Sequence, residues 1–156
     1  MMKLTLIILS TIALLILIGL FVLAKKSHTA PQLGMNKAQF HSCAFSTNCV
    51  NSMEEGDVHI QPFTTNTAHV WPTLAEVVVI MGGDIQEQND DYLWVTFKTG
   101  WMGFVDDMEL SLDTQNNVIH VRSASRVGRS DFGVNRKRVA QLRNHIQYAA
   151  ANSNGP

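Results

Sequence analysis

The chain has 156 residues, with 12 lysines and arginines against 13 aspartates and glutamates, which gives a formal net charge of −1 at pH 7. This length predicts one domain. The balanced charge argues against a dedicated nucleic-acid-binding protein, which is usually strongly basic, so we expect no nucleic-acid partner. Hydrophobic residues make up 46% of the chain and are concentrated at its N-terminus. The remainder is still long enough to bury a core by itself.

The N-terminus carries an uncharged, almost continuous apolar run over residues 4–24. A helix needs about 20 apolar residues to cross the hydrocarbon core of a bilayer, so the run predicts a single-pass transmembrane anchor at residues 1–26. A signal peptide cleaved after Ala24 is the alternative, because small residues precede that position. The length of the run favours the anchor. One lysine lies before the run and two follow it, so the charges leave the orientation open.

Residues 27–40 contain a proline and a glycine but no periodic pattern, and we predict a tether there. Cys43 and Cys49 follow, with five residues between them. This spacing fits a small disulfide loop better than the two-residue spacing of zinc knuckles and thioredoxin-type redox sites. A reduced, buried pair is the alternative. A disulfide is expected if the domain lies outside the cytoplasm, where conditions are oxidising.

The segment from residue 41 to residue 150 has the pattern of one α+β domain. Alternating apolar and polar residues predict strands, and apolar stripes at helical spacing predict two helices. We expect an antiparallel sheet of about four to five strands with the helices on one face, and a tail at residues 151–156. In chain order the predicted elements are a strand at residues 58–60, a helix from Trp71 to Met81 that ends at Gly82 and Gly83, four strands between residues 85 and 127, and a last helix from Gly133 to about Ala150.

The third and fourth of these four strands, at residues 104–113 and 118–127, are predicted to form a hairpin. One face of the hairpin is apolar, and the other carries alternating carboxylates and guanidiniums. Asp106 is the exception, because it falls on the apolar face. A slip of one strand by one residue would mix the two faces. One register that keeps them separate pairs Leu112 with Ile119, Leu110 with Val121 and Glu109 with Arg122. A slip by two residues also keeps them separate and would place Asp107 beside Arg126 instead.

The charged residues of the hairpin and of the last helix could act in two ways. They could be the carboxylate cluster of a hydrolase-like enzyme, or a ladder of ion pairs that holds sheet and helix together. We prefer the ladder, because structural networks also bring charged groups together. The chain has no G-x-S-x-G, H-E-x-x-H or nucleotide-binding motif, and we predict no catalytic residue, metal site or cofactor. The candidate charged cluster consists of Asp106, Asp107, Glu109, Arg122, Arg126, Arg136 and Arg138.

Two tryptophans, Trp94 and Trp101, lie in and next to the predicted strands. They could line a ligand groove or a membrane-facing rim. We expect them to fill the core, because large aromatic side chains bury the most apolar surface.

Several segments carry a family pattern: Cys43 with Asn48-Cys49-Val50, Trp71, residues 104–109, residues 119–128, Ser130-Asp131 and residues 133–138. Together they resemble the family catalogued as domain of unknown function 1499, over about residues 40–147. The block from Arg122 to Arg138 is long and specific. The resemblance implies a domain outside the cytoplasm behind a leader or an anchor, and it supports the disulfide. It carries over no activity and no ligand residue.

These observations predict an inner-membrane protein with one span and a soluble domain on the periplasmic side. The expected role is a non-catalytic binding or accessory module. Its partners would be the membrane, through the N-terminal helix, and an envelope protein or a lipid or anionic ligand. A hydrolase-like enzyme that uses Asp106, Asp107 and Glu109 with Arg122 and Arg126 is the alternative.

Overall fold

The computed structural model of the protein describes residues 2–64 and 67–152. A long N-terminal helix precedes a domain with five strands and three further helical segments. Two single 3₁₀ turns lie at Gly56–Val58 and Trp71–Thr73. The helices and strands are α1 (Met2–Ser27), β1 (Cys49–Asn51), α2 (Thr67–Val70), α3 (Leu74–Ile80), β2 (Asp84–Gln88), β3 (Tyr92–Thr99), β4 (Phe104–Asp113), β5 (Val118–Ser125) and α4 (Val134–Asn152).

The five strands form one antiparallel sheet in the order β1-β5-β4-β3-β2. The predicted α+β class is therefore confirmed. The structure has the hairpin register in which Leu112 lies opposite Ile119, Leu110 opposite Val121 and Glu109 opposite Arg122, rather than the one that places Asp107 opposite Arg126. Both registers keep the apolar face together, and the burial of that face in the core excludes a slip by one residue.

Two predicted elements differ in the structure. Residues 58–60 are not a strand: a 3₁₀ turn overlaps them, and the edge of β5 is taken instead by β1, from the cysteine segment. In place of a strand, His59 forms one isolated parallel bridge to Asn51 of β1. The first predicted helix begins earlier, as α2, and is interrupted by a 3₁₀ turn that contains Pro72. It ends at Gly82 as predicted, where φ is +84° and the amide donates to the Val79 carbonyl.

The core lies between one face of the sheet and the helices α3 and α4, and we call this side of the sheet the helix-covered face. Burying such apolar side chains stabilises the fold by about 1.5–3 kcal/mol each. The last helix extends two residues beyond its predicted end, and residues 153–156 of the predicted tail lie outside the described residues. The fully buried apolar side chains include Leu74, Val78, Val95, Met108, Leu110, Ile119, Val121, Val139 and Leu142.

The opposite side of the sheet is covered in part by residues 27–34, and we call it the segment-covered face. Ser27, at the end of α1, is fully buried. Its hydroxyl accepts a hydrogen bond from the Val105 amide at 3.1 Å, and its carbonyl accepts one from Arg126 at 3.1 Å. The segment predicted to be a tether thus lies against the domain at its beginning.

Helix α1 is long and apolar enough to cross a membrane, and its most apolar stretch is not buried against the rest of the protein. Its one buried position before Ser27 is Ala24. Length and composition of this kind are shared by transmembrane anchors and by signal sequences.

Candidate functional site

Strand β4 carries four carboxylates, of which three are buried, two on one face of the sheet and one on the other. Successive side chains of a strand point to opposite faces. Asp107 and Glu109 therefore lie on the segment-covered face, and Asp106 lies on the helix-covered face beside Met108. All three are buried, with 3% of Asp106, 3% of Asp107 and none of Glu109 exposed. Each one meets a different arginine.

Glu109 is held by three donors on the segment-covered face. An Arg122 Nη donates to Oε2 at 2.8 Å, the Tyr92 hydroxyl donates to Oε1 at 2.8 Å, and the Gly34 amide donates to Oε1 at 3.2 Å. Burial, and then the charge of Glu109, raise the pKa of the Tyr92 phenol. The phenol therefore keeps its proton and remains a donor. Gly34 belongs to the N-terminal segment, so this site depends on the docking of that segment.

Asp107 forms a two-point ion pair with Arg126. The Arg126 Nε donates to Oδ2 at 2.8 Å and an Nη donates to Oδ1 at 2.7 Å, while the Trp94 indole N–H donates to Oδ1 at 2.8 Å. This fork geometry is the strong form of a guanidinium–carboxylate contact. The other Nη of Arg126 donates to the Ser27 carbonyl. The pair therefore connects β4 and β5 with the end of α1.

Asp106 pairs with Arg138 of α4 across the helix-covered face, at 2.8 Å. Burial raises the pKa of Asp106, against the opposing effects of a hydrogen bond from Ser125 and of the Arg138 charge. The Arg138 guanidinium also lies 4.7 Å from the centre of the Phe97 ring. The apolar position of Asp106 in the sequence is explained by this partner, which reaches the sheet from the start of α4.

Asn135 connects the same region and was not predicted from the sequence. Its side-chain oxygen accepts from the Ser123 hydroxyl at 2.7 Å and from Arg138 at 2.6 Å. Its amide nitrogen donates to the Asn48 carbonyl and to the Ser125 hydroxyl, both at 3.1 Å. Its position in the sequence could have indicated this role. Asn135 precedes the buried stripe of α4 by one turn, so it faces the sheet.

The remaining member of the candidate charged cluster, Arg136, does not join the others. It is exposed and donates to the backbone carbonyls of Asp57 and His59, at 2.8 and 3.1 Å. It therefore holds the 3₁₀ turn against α4. The structure pairs Cys43 with Cys49 in a disulfide whose Cα atoms are 5.7 Å apart.

The expectation that both tryptophans fill the core is wrong for Trp101. This residue lies in the loop between β3 and β4, outside both faces of the sheet, and 86% of it is exposed. Trp94 is half-buried on the segment-covered face, where its N–H meets Asp107. The sequence pattern placed Trp94 on a strand but did not show that its role there is polar.

Several cavities adjoin the charged residues, and two of them have similar volumes. One, of 410 Å³, lies between the end of α1 and the domain, and Asp106 lies in its wall; we call it the junction cavity. The other, of 420 Å³, lies on the segment-covered face beside Asp107, Arg122 and Arg126. The Nε of Arg122 is buried there without a hydrogen-bond partner among the described residues. Across residues 2–64 and 67–152, no three histidine, cysteine or acidic side chains are grouped to hold a metal ion.

The fold and the charged cluster define a small α+β domain, internally tied by ion pairs, behind one helix that is apolar enough to span a membrane. The chain belongs to the family described as protein of unknown function DUF1499, whose family model matches residues 39–146. The match spans every strand and most of α4, and it confirms the resemblance carried by the sequence motifs. No curated protein and no solved structure matches the chain.

Proposed function

We propose that this protein is a single-pass inner-membrane protein whose domain lies on the periplasmic side and acts as a non-catalytic binding or accessory module. The observation that carries the proposal is the use of the charged cluster within the fold. Asp106, Asp107 and Glu109 are each buried and each paired with an arginine. An arginine within the fold thus neutralises each of these carboxylates, which is the arrangement of a structural ion pair.

The contacts at the end of α1 support an uncleaved anchor. Cleavage after Ala24 would remove a residue that is buried against the domain. The next contact, Ser27, is tied to β4 and to Arg126. A helix that continues into such contacts holds the domain directly at the bilayer surface, with no free linker between them.

The disulfide supports the periplasmic side. Disulfides persist in the periplasm and are rare in the reducing cytoplasm. Cys49 is buried in β1, and the disulfide loop leads into the only strand that pairs with the outer edge of β5 among the described residues. Oxidation of this pair therefore suits the compartment that we propose.

The topology can be tested with two reporters fused after Pro156 in the full chain. A reporter enzyme that is active only in the cytoplasm should be silent, and one that is active only in the periplasm should be active. The paired fusions control for expression. The reverse result would refute the periplasmic placement. Thiol alkylation of denatured, unreduced protein should add no label, whereas two labels would show that Cys43 and Cys49 are free in the cell.

The hydrolase-like alternative keeps one specific observation in its favour. Asp106 has a pKa raised by burial and lies in the wall of the junction cavity, and a protonated carboxyl in a cleft can act as a general acid. Asp106→Asn would then abolish a hydrolytic activity of the purified protein toward a substrate panel. The binding-module proposal instead predicts that the wild type shows no such activity above the Asp106→Asn background.

A further inference from the structure

The junction cavity has walls from both the anchor and the domain. Leu20 and Leu23 of α1 line one side, and Phe104, Val127 and Val134 belong to the domain side. Its volume of 410 Å³ lies within the range of about 300–1,000 Å³ that is typical of small-ligand sites. The cavity therefore exists only when α1 stays attached to the domain.

The polar side chains around the junction cavity already have partners within the protein. Asp106 is paired with Arg138, and Asp131 accepts from the amides of Gly133 and Asn135 at the start of α4. Ser125 accepts from the Asn135 side chain. Because these groups are satisfied, the surface that the cavity offers to a ligand is mainly that of its leucine, valine and phenylalanine side chains.

The position of α1 in a bilayer sets the depth of the cavity. Lys25 and Lys26 follow the apolar run and remain at the membrane surface, because burying a charge in hydrocarbon is costly. A helix rises about 1.5 Å per residue, so Leu23 lies about 3 Å and Leu20 about 8 Å deeper than Lys25. The cavity wall that they form therefore lies at the boundary between headgroups and acyl chains.

Two exposed aromatic residues lie in the lining of the junction cavity or next to it in the sequence. Phe132 lines the cavity and is 91% exposed, and Trp101 follows the lining residue Gly100 and is 86% exposed. Phe132 has a φ of +53°, a left-handed conformation that is uncommon for a bulky residue. Tryptophan is enriched at the membrane–water interface, and phenylalanine occurs on the buried face of helices that lie in that interface. Both residues would lose their exposure to water in that position.

We propose that the junction cavity takes one acyl chain of a lipid from the bilayer in which α1 is anchored. The inference rests on the proposed anchor and adds a ligand class to it. The apolar walls match an aliphatic chain, the depth matches the outer part of the acyl region, and the exposed aromatics hold the rim in the interface. The domain thus separates one acyl chain from the surrounding lipids while α1 stays in the membrane.

The test uses the full chain in phosphatidylcholine vesicles that contain a trace of phosphatidylcholine with a diazirine in the middle of one acyl chain. After illumination, the labelled peptides are identified by mass spectrometry. We expect label in the domain at residues 125–134 as well as on α1. Label confined to α1 would overturn the cavity proposal, because any lipid beside a transmembrane helix produces it.

Two variants fill the cavity from opposite sides, each with a matched control. Val127→Phe adds bulk from the domain, and Val79→Phe makes the same change at an exposed position of α3. Leu20→Trp adds bulk from the anchor, and Leu15→Trp does so at a lipid-exposed position of α1. Both cavity variants should reduce the domain label about tenfold, the loss that overpacking by one or two kcal/mol produces, and both controls should leave it unchanged.

Leu20→Trp keeps the test decisive if Val127→Phe fails to fold, since it leaves the domain's own residues intact. Equal domain labelling in Leu20→Trp and in the wild type would overturn the proposal. Flotation of the vesicles separates this failure from a failure of the anchor. A chain that does not float with the vesicles refutes the anchor and the cavity proposal together, whereas a chain that floats with label on α1 alone refutes only the cavity proposal.

Discussion

The two faces of β4 satisfy their buried carboxylates in different ways. On the segment-covered face, Asp107 has a two-point guanidinium and an indole N–H, and Glu109 has three separate donors. On the helix-covered face, Asp106 has a hydrogen bond from Ser125, one close contact with Arg138 and a pKa raised by burial. Two neighbours in the sequence, Asp106 and Asp107, thus have different electrostatic environments because they point in opposite directions.

The difference follows from what covers each face. Helices α3 and α4 cover the core with apolar side chains, so a carboxylate there loses water, and the Ser125 hydrogen bond and the Arg138 charge offset that loss only in part. The N-terminal segment covers the other face with irregular backbone, whose amide and carbonyl groups add polar partners such as the Gly34 N–H and the Ser27 carbonyl. An irregular cover can therefore stabilise charge where a helical cover opposes it.

The largest effect is expected from breaking the Glu109–Arg122 pair on the segment-covered face. Glu109→Ala and Arg122→Ala should each reduce the free energy of unfolding by about 3–5 kcal/mol, because each strands a buried charge. The double variant should cost less than the sum of the two, since no orphaned charge remains. Urea and thermal unfolding of the full chain in detergent would measure this cycle.

Arg136→Ala is the matched control for that cycle. Arg136 is exposed and bonds only to backbone carbonyls, so its loss should cost about 1 kcal/mol or less. If the single variants at Glu109 and Arg122 unfold like the wild type and their effects add, the ion pair does not stabilise the fold. The charged cluster would then become the first candidate for an active site.

A smaller effect is expected from removing the disulfide. Replacing Cys43 and Cys49 by alanine should cost about 2 kcal/mol, the chain-entropy value for so short a loop. The loss should fall mainly on the segment-covered face, since the loop leads into β1 and Asn51 of β1 pairs with Arg122 of β5. Hydrogen exchange at the Gly34 amide would then accelerate more than exchange in α4. Reduction of the wild type should reproduce the change, and equal acceleration in both regions would contradict this separation.

The sequence predicted those parts of this arrangement that have a periodic pattern of apolar residues. Strands β3 and β4 begin and end where their alternation predicted, and the requirement that one face be apolar excluded a β4–β5 register shifted by one residue. The Glu109–Arg122 pair was accessible for that reason. The Asp106–Arg138 pair was not, because it depends on how α4 lies across the sheet, and one-dimensional patterns do not contain that angle.

The sequence did not predict that residues 27–34 pack on the segment-covered face, for a related reason. Residues 27–34 have no period of either kind, and their contacts are made largely by backbone atoms, such as the Gly34 amide and the Ser27 carbonyl. Backbone atoms are the same in every sequence, so no residue pattern marks them. The short strand β1 was also not predicted. Its three residues are too few to show an alternating pattern, and their partner strand, β5, lies far away in the sequence.

The smallest expected effect is on the pH dependence of the unfolding free energy. Two carboxylates of β4, Asp106 and Asp113, should contribute slopes of opposite sign. Burial raises the pKa of Asp106 above its unfolded value of about 3.9. Its contribution to stability is therefore complete below that value and is lost as pH rises through the folded pKa. Asn cannot titrate, so the unfolding free energy of the wild type minus that of Asp106→Asn should fall as pH rises from about 4.

Asp113, at the exposed end of β4, should show the opposite slope. Hydrogen bonds from Asn116, side chain first and then backbone, lower the pKa of Asp113, so its contribution is present above the unfolded pKa and is lost as pH falls. The wild type minus Asp113→Asn difference should therefore rise with pH over the same urea titrations. If the Asp106 difference also rises, Arg138 outweighs burial and the ion pair stabilises the helix-covered face. The contrast between the two faces of β4 would then be one of geometry alone.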